Sequence, residues 1–161
     1  MTDLEEIEAI KRLKYRYVRC LDLKQFDDIR SCFVDTATAS YGGGAYTYEG
    51  VDAILGFLES SMSSTKMLTS HKVHHPEIEL TGPGSATATW ALDDVVVMTE
   101  LGLTVRGAAF YEDEYVKVGG DWRIKHTGYK RVYEELAPRA ADITLTASYW
   151  DTDGRSSLPA G

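Results

Sequence analysis

Apolar residues recur at helical spacing through the first twenty-odd positions, where Leu4, Ile7, Ile10, Leu13, Tyr17, Val18 and Leu21 share one face. Thr2-x-x-Glu5 stands ahead of them, a pair able to cap each other's backbone N–H groups. The spacing predicts an amphipathic helix ending near residue 21. Phe26, Ile29 and Phe33 predict a second, short helix from about 25 to 33, and Thr36 to Tyr41 then reads as a strand. Gly42-Gly43-Gly44 marks a turn, after which Val51, Ile54, Leu55 and Leu58 restore helical spacing as far as Met62. Beyond Thr65 the pattern becomes strand-like in four long runs, 66–80, 85–99, 103–118 and 121–134. Gly82-Pro83-Gly84, Leu101-Gly102 and Gly119-Gly120-Asp121 separate them. Helices first and hairpins after predict an α+β architecture, with helices over one face of a curved, mostly antiparallel sheet.

Strand parity sorts polar residues into inside and outside. Ala86, Ala88, Trp90, Leu92, Val96 and Met98 form one set, and Asp94 shares their parity, so a carboxylate is expected on the apolar face. Such a group needs a hydrogen-bonding or charged partner. His71 shares the parity of Met67, Thr69 and Val73; Pro76 marks an edge or bulge, so parity is followed no further along that run. Tyr17 lies on the helical stripe and Asp22 just past its end, where Asp22 can either face the sheet or cap the next helix. Tyr41 closes the first strand beside the glycine turn.

The chain of 161 residues is 43% hydrophobic and 26% charged, the profile of one ordinary domain. Residues 1–137 read as that domain and 138–161 as a C-terminal extension, partly flexible, whose Ile143, Leu145, Tyr149 and Trp150 are available to extend the fold or meet a partner subunit. A net charge of -8 argues against nucleic acid as a partner. No apolar run has the length of a membrane span, and the acidic, amphipathic start is unlike a secretory signal, so a cytoplasmic location is expected. Cys20 and Cys32 are expected to be packed and reduced. Phosphate-binding glycine loops and a G-x-S-x-G elbow are absent from the sequence, and no cofactor is implied.

Several stretches carry a family resemblance: KYRYVRCLDLKQFDDIRSCF, ASYGG, YEGVDAILGFL, TSHKVHHPEIEL, WALDD and GAAFYEDEYVKVGGDWRIKHTGY. From about Ile10 to Tyr133 the chain resembles the SnoaL-like, nuclear-transport-factor-like superfamily, in particular its branch of scytalone dehydratase and bile acid 7-alpha-dehydratases. Two departures are His75, where related enzymes often carry Asn before the proline, and the C-terminal extension. The resemblance implies a cone-shaped α+β barrel, with Tyr17, Asp22, Tyr41, His71 and Asp94 lining its pocket. It also implies a cofactor-independent dehydratase, a lyase acting on a cyclic, steroid-like or polyketide-like hydroxy-carbonyl compound. His71, oriented by Asp22 or Asp94, would move the proton, and Tyr17 and Tyr41 would hold the developing oxyanion. Trp90, Leu92, Met98 and Phe110 would form the apolar wall against an apolar small-molecule substrate.

Isomerase, cyclase and epoxide hydrolase chemistry would use a similar set, and a noncatalytic binding module would use the same pocket. His71-x-x-His74-His75 with Asp94 is a formal metal-ligand set, but strand parity sends residues 71 and 74 to opposite faces, so no metal is assigned. Such proteins associate through the sheet, and an outer face carrying Val95, Val97 and Tyr115 is expected to form a dimer or trimer.

Overall fold

The computed structural model describes residues 2–158. The capping box forms at the start: Thr2 N–H donates to Glu5 Oε2 at 2.7 Å, and Glu5 N–H to Thr2 Oγ1 at 3.4 Å. Behind it, α1 (Asp3–Asp22) buries Ile10, Leu13, Tyr17, Val18 and Leu21 as its spacing requires, together with Lys14. The helix stops where Lys24 turns to a φ of 55°, a left-handed conformation that costs a lysine about 1 kcal/mol or more. α2 (Phe26–Arg30) is shorter than its spacing suggests. Phe33 begins β1 (Phe33–Tyr41) instead of ending the helix, and reaches the core from a strand with its ring edge on Tyr17.

After a 3-10 turn at Gly42–Gly44 come β2 (Tyr46–Glu49) and α3 (Val51–Met62), then β3 (Met67–Gly82), β4 (Ser85–Met98), β5 (Leu103–Val118) and β6 (Asp121–Pro138). A single helical turn, α4 (Tyr149–Thr152), follows. The short strand β2, largely exposed and without an alternating pattern, was not expected. Among the described residues the sheet has six strands in the order β2-β1-β6-β5-β4-β3. Every neighbouring pair is antiparallel except β1 and β6, which run parallel. The expected barrel is therefore an open cone: β2 and β3 remain edges. Register shifts at His74/Glu77, Ala108/Ala109 and Glu114/Tyr115 bend the long strands.

Alternation along β4 buries Ala86, Ala88, Trp90, Leu92 and Asp94, and along β5 buries Gly107, Ala109, Tyr111, Asp113 and Tyr115. The helices cover this face. Two expectations fail on the same parity. Phe110 lies on the outer face, 46% exposed, and is not part of an inner wall; Tyr115 lies inside, 1% exposed, and cannot serve an outer contact face. Hairpins turn at glycines such as Gly84, whose φ of 79° suits no branched side chain. No described helix is long and apolar enough to cross a membrane.

Candidate active site

The sheet's first long strand meets the end of α1 at a histidine and an aspartate. Asp22 Oδ1 accepts from His71 Nδ1 at 2.6 Å and from Thr69 Oγ1 at 2.8 Å, while Oδ2 accepts from the His71 backbone N–H at 2.9 Å. Of the two readings open for Asp22, the structure takes the one facing the sheet; the N-cap position of α2 is Gln25, which makes no side-chain cap. A carboxylate in the last turn of a helix opposes the helix dipole, so three donors from β3 hold it against a local electrostatic preference. Because Nδ1 carries the proton that it donates in a hydrogen bond to the carboxylate, Nε2 of a neutral ring is the lone-pair nitrogen. It has no hydrogen-bond partner among the described residues, and the side chain is only 9% exposed.

Asp94 is the register partner of His71 on β4, yet its oxygens turn to Arg131. The guanidinium of β6 donates from Nη1 to Oδ1 at 2.5 Å and from Nη2 to Oδ2 at 2.9 Å, a two-pronged pair with Asp94 almost wholly buried. Burial opposes the arginine's charge, but the hydrogen bonds and charge of Asp94 outweigh it and raise its pKa further above the ordinary value. The remaining Nε–H lies 3.0 Å from Glu134 Oε2 but off its line, and is left without a hydrogen bond. Gly107 makes room for the pair: a Cβ there would stand 2.7 Å from Arg131 Nη1, 3.0 Å from Tyr133 O and 3.2 Å from Asp94 Oδ1.

Deeper in the cone, the hydroxyls of Tyr17 and Tyr41 lie 3.4 Å apart. Burial pushes both phenols well above their ordinary pKa, so they stay protonated and able to donate. Tyr41 stacks on Phe57 and tilts against Tyr129, which carries the Arg131 guanidinium over its ring at 4.9 Å. Beneath them Lys14 Nζ meets Asp113 Oδ2 at 2.7 Å, both side chains fully buried, and sits 3.4 Å from the centre of the Tyr111 ring. Asp113 also accepts from Thr127 at 2.7 Å and Tyr115 at 2.6 Å, and Trp90 Nε1 donates to Tyr115 at 3.1 Å. Desolvation lowers the Lys14 pKa, partly offset by the charge of Asp113.

The five predicted polar residues thus divide into three groups: His71 with Asp22, Tyr17 with Tyr41, and Asp94 with Arg131. Trp90 and Leu92 are fully packed and Met98 is half-buried. The histidine run does not converge: His74 points outward to Asp93 at 3.3 Å, and His75 occupies the β3 bulge at a φ of 23°. Sequence reasoning missed Arg131, Lys14 and Asp113. A separate depression of about 470 Å³ crosses the outer face between Glu77, Glu79, Thr87, Glu112, Glu114 and His126. It holds none of the predicted residues, and its Glu112 and Glu114 are solvated and paired with Lys130 and Lys125.

The chain is 27% identical over 146 residues to the probable cyclase FGR4 of Gibberella zeae, covering 82% of this chain and 95% of that one. A scytalone dehydratase-like protein of Novosphingobium aromaticivorans superposes with a TM-score of 0.77 at 23% identity, over 96% of this chain and 97% of its own. The hexachlorocyclohexane dehydrochlorinase LinA-type3 of Novosphingobium barchaimii superposes at 0.75 and 20% identity, over 88% and 94%. At these identities the superpositions establish the shared fold. The SnoaL-like domain model matches residues 2–128, nearly all of the helices and sheet just described, and the chain belongs to the SnoaL-like domain family.

Proposed function

We propose that this protein is a cofactor-independent lyase that removes water from a cyclic hydroxy-carbonyl compound with an apolar skeleton. One observation carries the reading: Asp22 fixes the His71 tautomer, leaving Nε2 as the free base of a largely buried side chain. Nε2 takes the proton from the carbon beside the substrate carbonyl, and the C–H electron pair moves into an enolate. Asp22 stabilises the imidazolium that results. Tyr17 and Tyr41 donate to the enolate oxygen, and their raised pKa values keep them donors throughout the working range. The imidazolium then returns its proton to the hydroxyl on the next carbon. That C–O bond breaks, the enolate electrons form the C=C bond, and water leaves.

Arg131 holds Asp94 in a two-pronged pair on the strand next to His71, so the local geometry is set before substrate arrives. Support comes also from the relatives. One relative is named a probable cyclase, and fold neighbours are named for dehydration and dehydrochlorination; removal of a carbon-bound proton is a step that would suit this chain to chemistry of that kind. The cyclase name favours a second reading, in which the same enolate attacks a carbonyl within the substrate.

The test is turnover of a panel of cyclic β-hydroxy ketones, read by enone absorbance and product mass. Loss of one water identifies the lyase; an unchanged mass identifies an isomerase or the cyclase reading. Asp22→Asn is expected to lower kcat by about 10²- to 10⁴-fold, with His71→Ala at least as impaired. Folded His71→Ala protein turning over at the wild-type rate would remove His71 from the mechanism.

A further inference from the structure

Glu6, Lys14 and Asp22 stand at equal intervals along α1, about 12 Å apart by helical rise, and each reaches the sheet with its charged end. Glu6 accepts from Lys117 Nζ of β5 at 2.5 Å and from Trp122 Nε1 of β6 at 2.6 Å, while Asp22 takes its donors from β3 at the other end of the helix. These two contacts keep some exposure to solvent, whereas the side chains of Lys14 and Asp113 have none. Asp113 accepts from Lys14, Tyr115 and Thr127, so one carboxylate joins α1 to β5 and β6. Apolar surfaces slide past one another at little cost. A dry ion pair fixes distance and direction, because no water is at hand to replace a lengthened bond. Such a pair is weak evidence of stability, since apolar replacements are often as stable, and its better-supported use is to select one arrangement of the elements it joins.

The pair also touches each of the three polar groups of the site. Tyr17 follows Lys14 by one helical turn, with its ring centre 5.0 Å from Nζ, and Asp22 lies two turns on along the same rigid helix. Tyr111, whose ring centre is 3.4 Å from Nζ, stands edge-on to Tyr129 at 5.7 Å. Tyr129 in turn tilts against Tyr41 and carries the guanidinium that holds Asp94.

From this placement we infer that Lys14 and Asp113 are positioning residues of the site: the dry pair sets how far α1 lies along the sheet and how it is rotated, and so holds Asp22 on His71 and the Tyr17 hydroxyl beside Tyr41. The inference rests on the lyase reading for its effect on turnover, but its effect on the Asp22–His71 contact is measured without substrate. In the full-length chain with ¹⁵N-labelled histidine, the His71 Nδ1 proton hydrogen-bonded to Asp22 is followed by NMR, and its exchange with water is timed. In Lys14→Met/Asp113→Asn, which replaces both members so that neither is buried without its partner, this exchange is expected to accelerate about fivefold or more, the equivalent of one net hydrogen bond. On any cyclic β-hydroxy ketone that the wild type dehydrates, kcat is expected to fall about 10- to 100-fold with KM little changed. Thr127→Val takes one donor from Asp113 and leaves the pair in place; it is expected to move both readouts the same way by less, and it decides alone if the double variant does not fold. A pair that served stability only would leave the Nδ1 proton at its wild-type resonance and exchange rate, and that result overturns the inference. Accelerated exchange in the variants, together with a wild type that turns over nothing in the panel, removes the lyase reading and leaves the positioning role standing.

Discussion

Replacing Gly107 with alanine adds one methyl group at a crowded point of the concave face. The new Cβ would lie 2.7 Å from a guanidinium nitrogen, 3.2 Å from a carboxylate oxygen and 3.0 Å from the backbone oxygen of Tyr133. Arg131 alone could swing aside, but the Tyr133 carbonyl is held in the β5–β6 ladder and Asp94 has 4% of its side chain exposed. The arginine is therefore displaced and Asp94 left as a buried charge without its counter-ion. Breaking such a pair costs about 3–5 kcal/mol. For a domain of this size that lowers Tm by roughly 6–20 °C. Thermal and urea unfolding of the purified variant measure it. Adding Asp94→Asn discriminates the cause: if the loss runs through the uncompensated carboxylate, the double variant is more stable than Gly107→Ala alone. A Gly107→Ala protein within about 0.5 kcal/mol of wild type would refute the reasoning, since a surface-like tolerance is incompatible with those three contacts.

Two further outcomes follow from the buried groups. Lys14→Met is expected to cost about 3–5 kcal/mol in urea unfolding, because Asp113 is left buried without its counter-ion; adding Asp113→Asn is expected to recover more than about 1 kcal/mol, and no recovery would mean that the lysine acts by packing alone. Burial pushes the Cys32 thiol up to about 11 and raises Cys20 as well. A raised thiol pKa suppresses the thiolate, to a fraction of about 10⁻³ for Cys32 at pH 8, so Ellman's reagent should label the native chain slowly and both cysteines promptly in urea. Rapid native labelling of Cys32 would contradict its burial.

The inward carboxylate at Asp94 was readable because Trp90 and Leu92 share its strand and parity, and the structure buries all three. The same rule carried along β5 would have found Asp113 between Tyr111 and Tyr115, and would have sent Phe110 outward. Arg131 was hidden for a different reason. The bulge at Ala108/Ala109 shifts the register of β6, so parity alone does not say that a residue pairing with Ala109 reaches Asp94. Lys14 resembles any solvated helical charge until Asp113 is known to await it on a strand far along the chain. The choice between Asp22 and Asp94 as the partner of His71 depends on where α1 stops and how it lies on β3, and those are tertiary facts. Residue 22 and residue 71 are joined across 49 positions, and no local pattern encodes that docking. β2 left no trace because four mostly exposed residues at an edge bury too little to impose alternation.

The parallel pairing of β1 with β6 governs the order in which the molecule can be assembled. Thr38 and His126 are bonded neighbours 88 positions apart, so during synthesis β1 has no long strand to pair with until β6 has left the ribosome. The β3–β6 meander, built from adjacent hairpins, can form first. Until α1 settles on it, Asp113 is hydrated, and Lys14 must meet that carboxylate while water still bathes both. The docking of the first helix is thus the step that seals the interior, and a slow refolding phase sensitive to Lys14 would mark it.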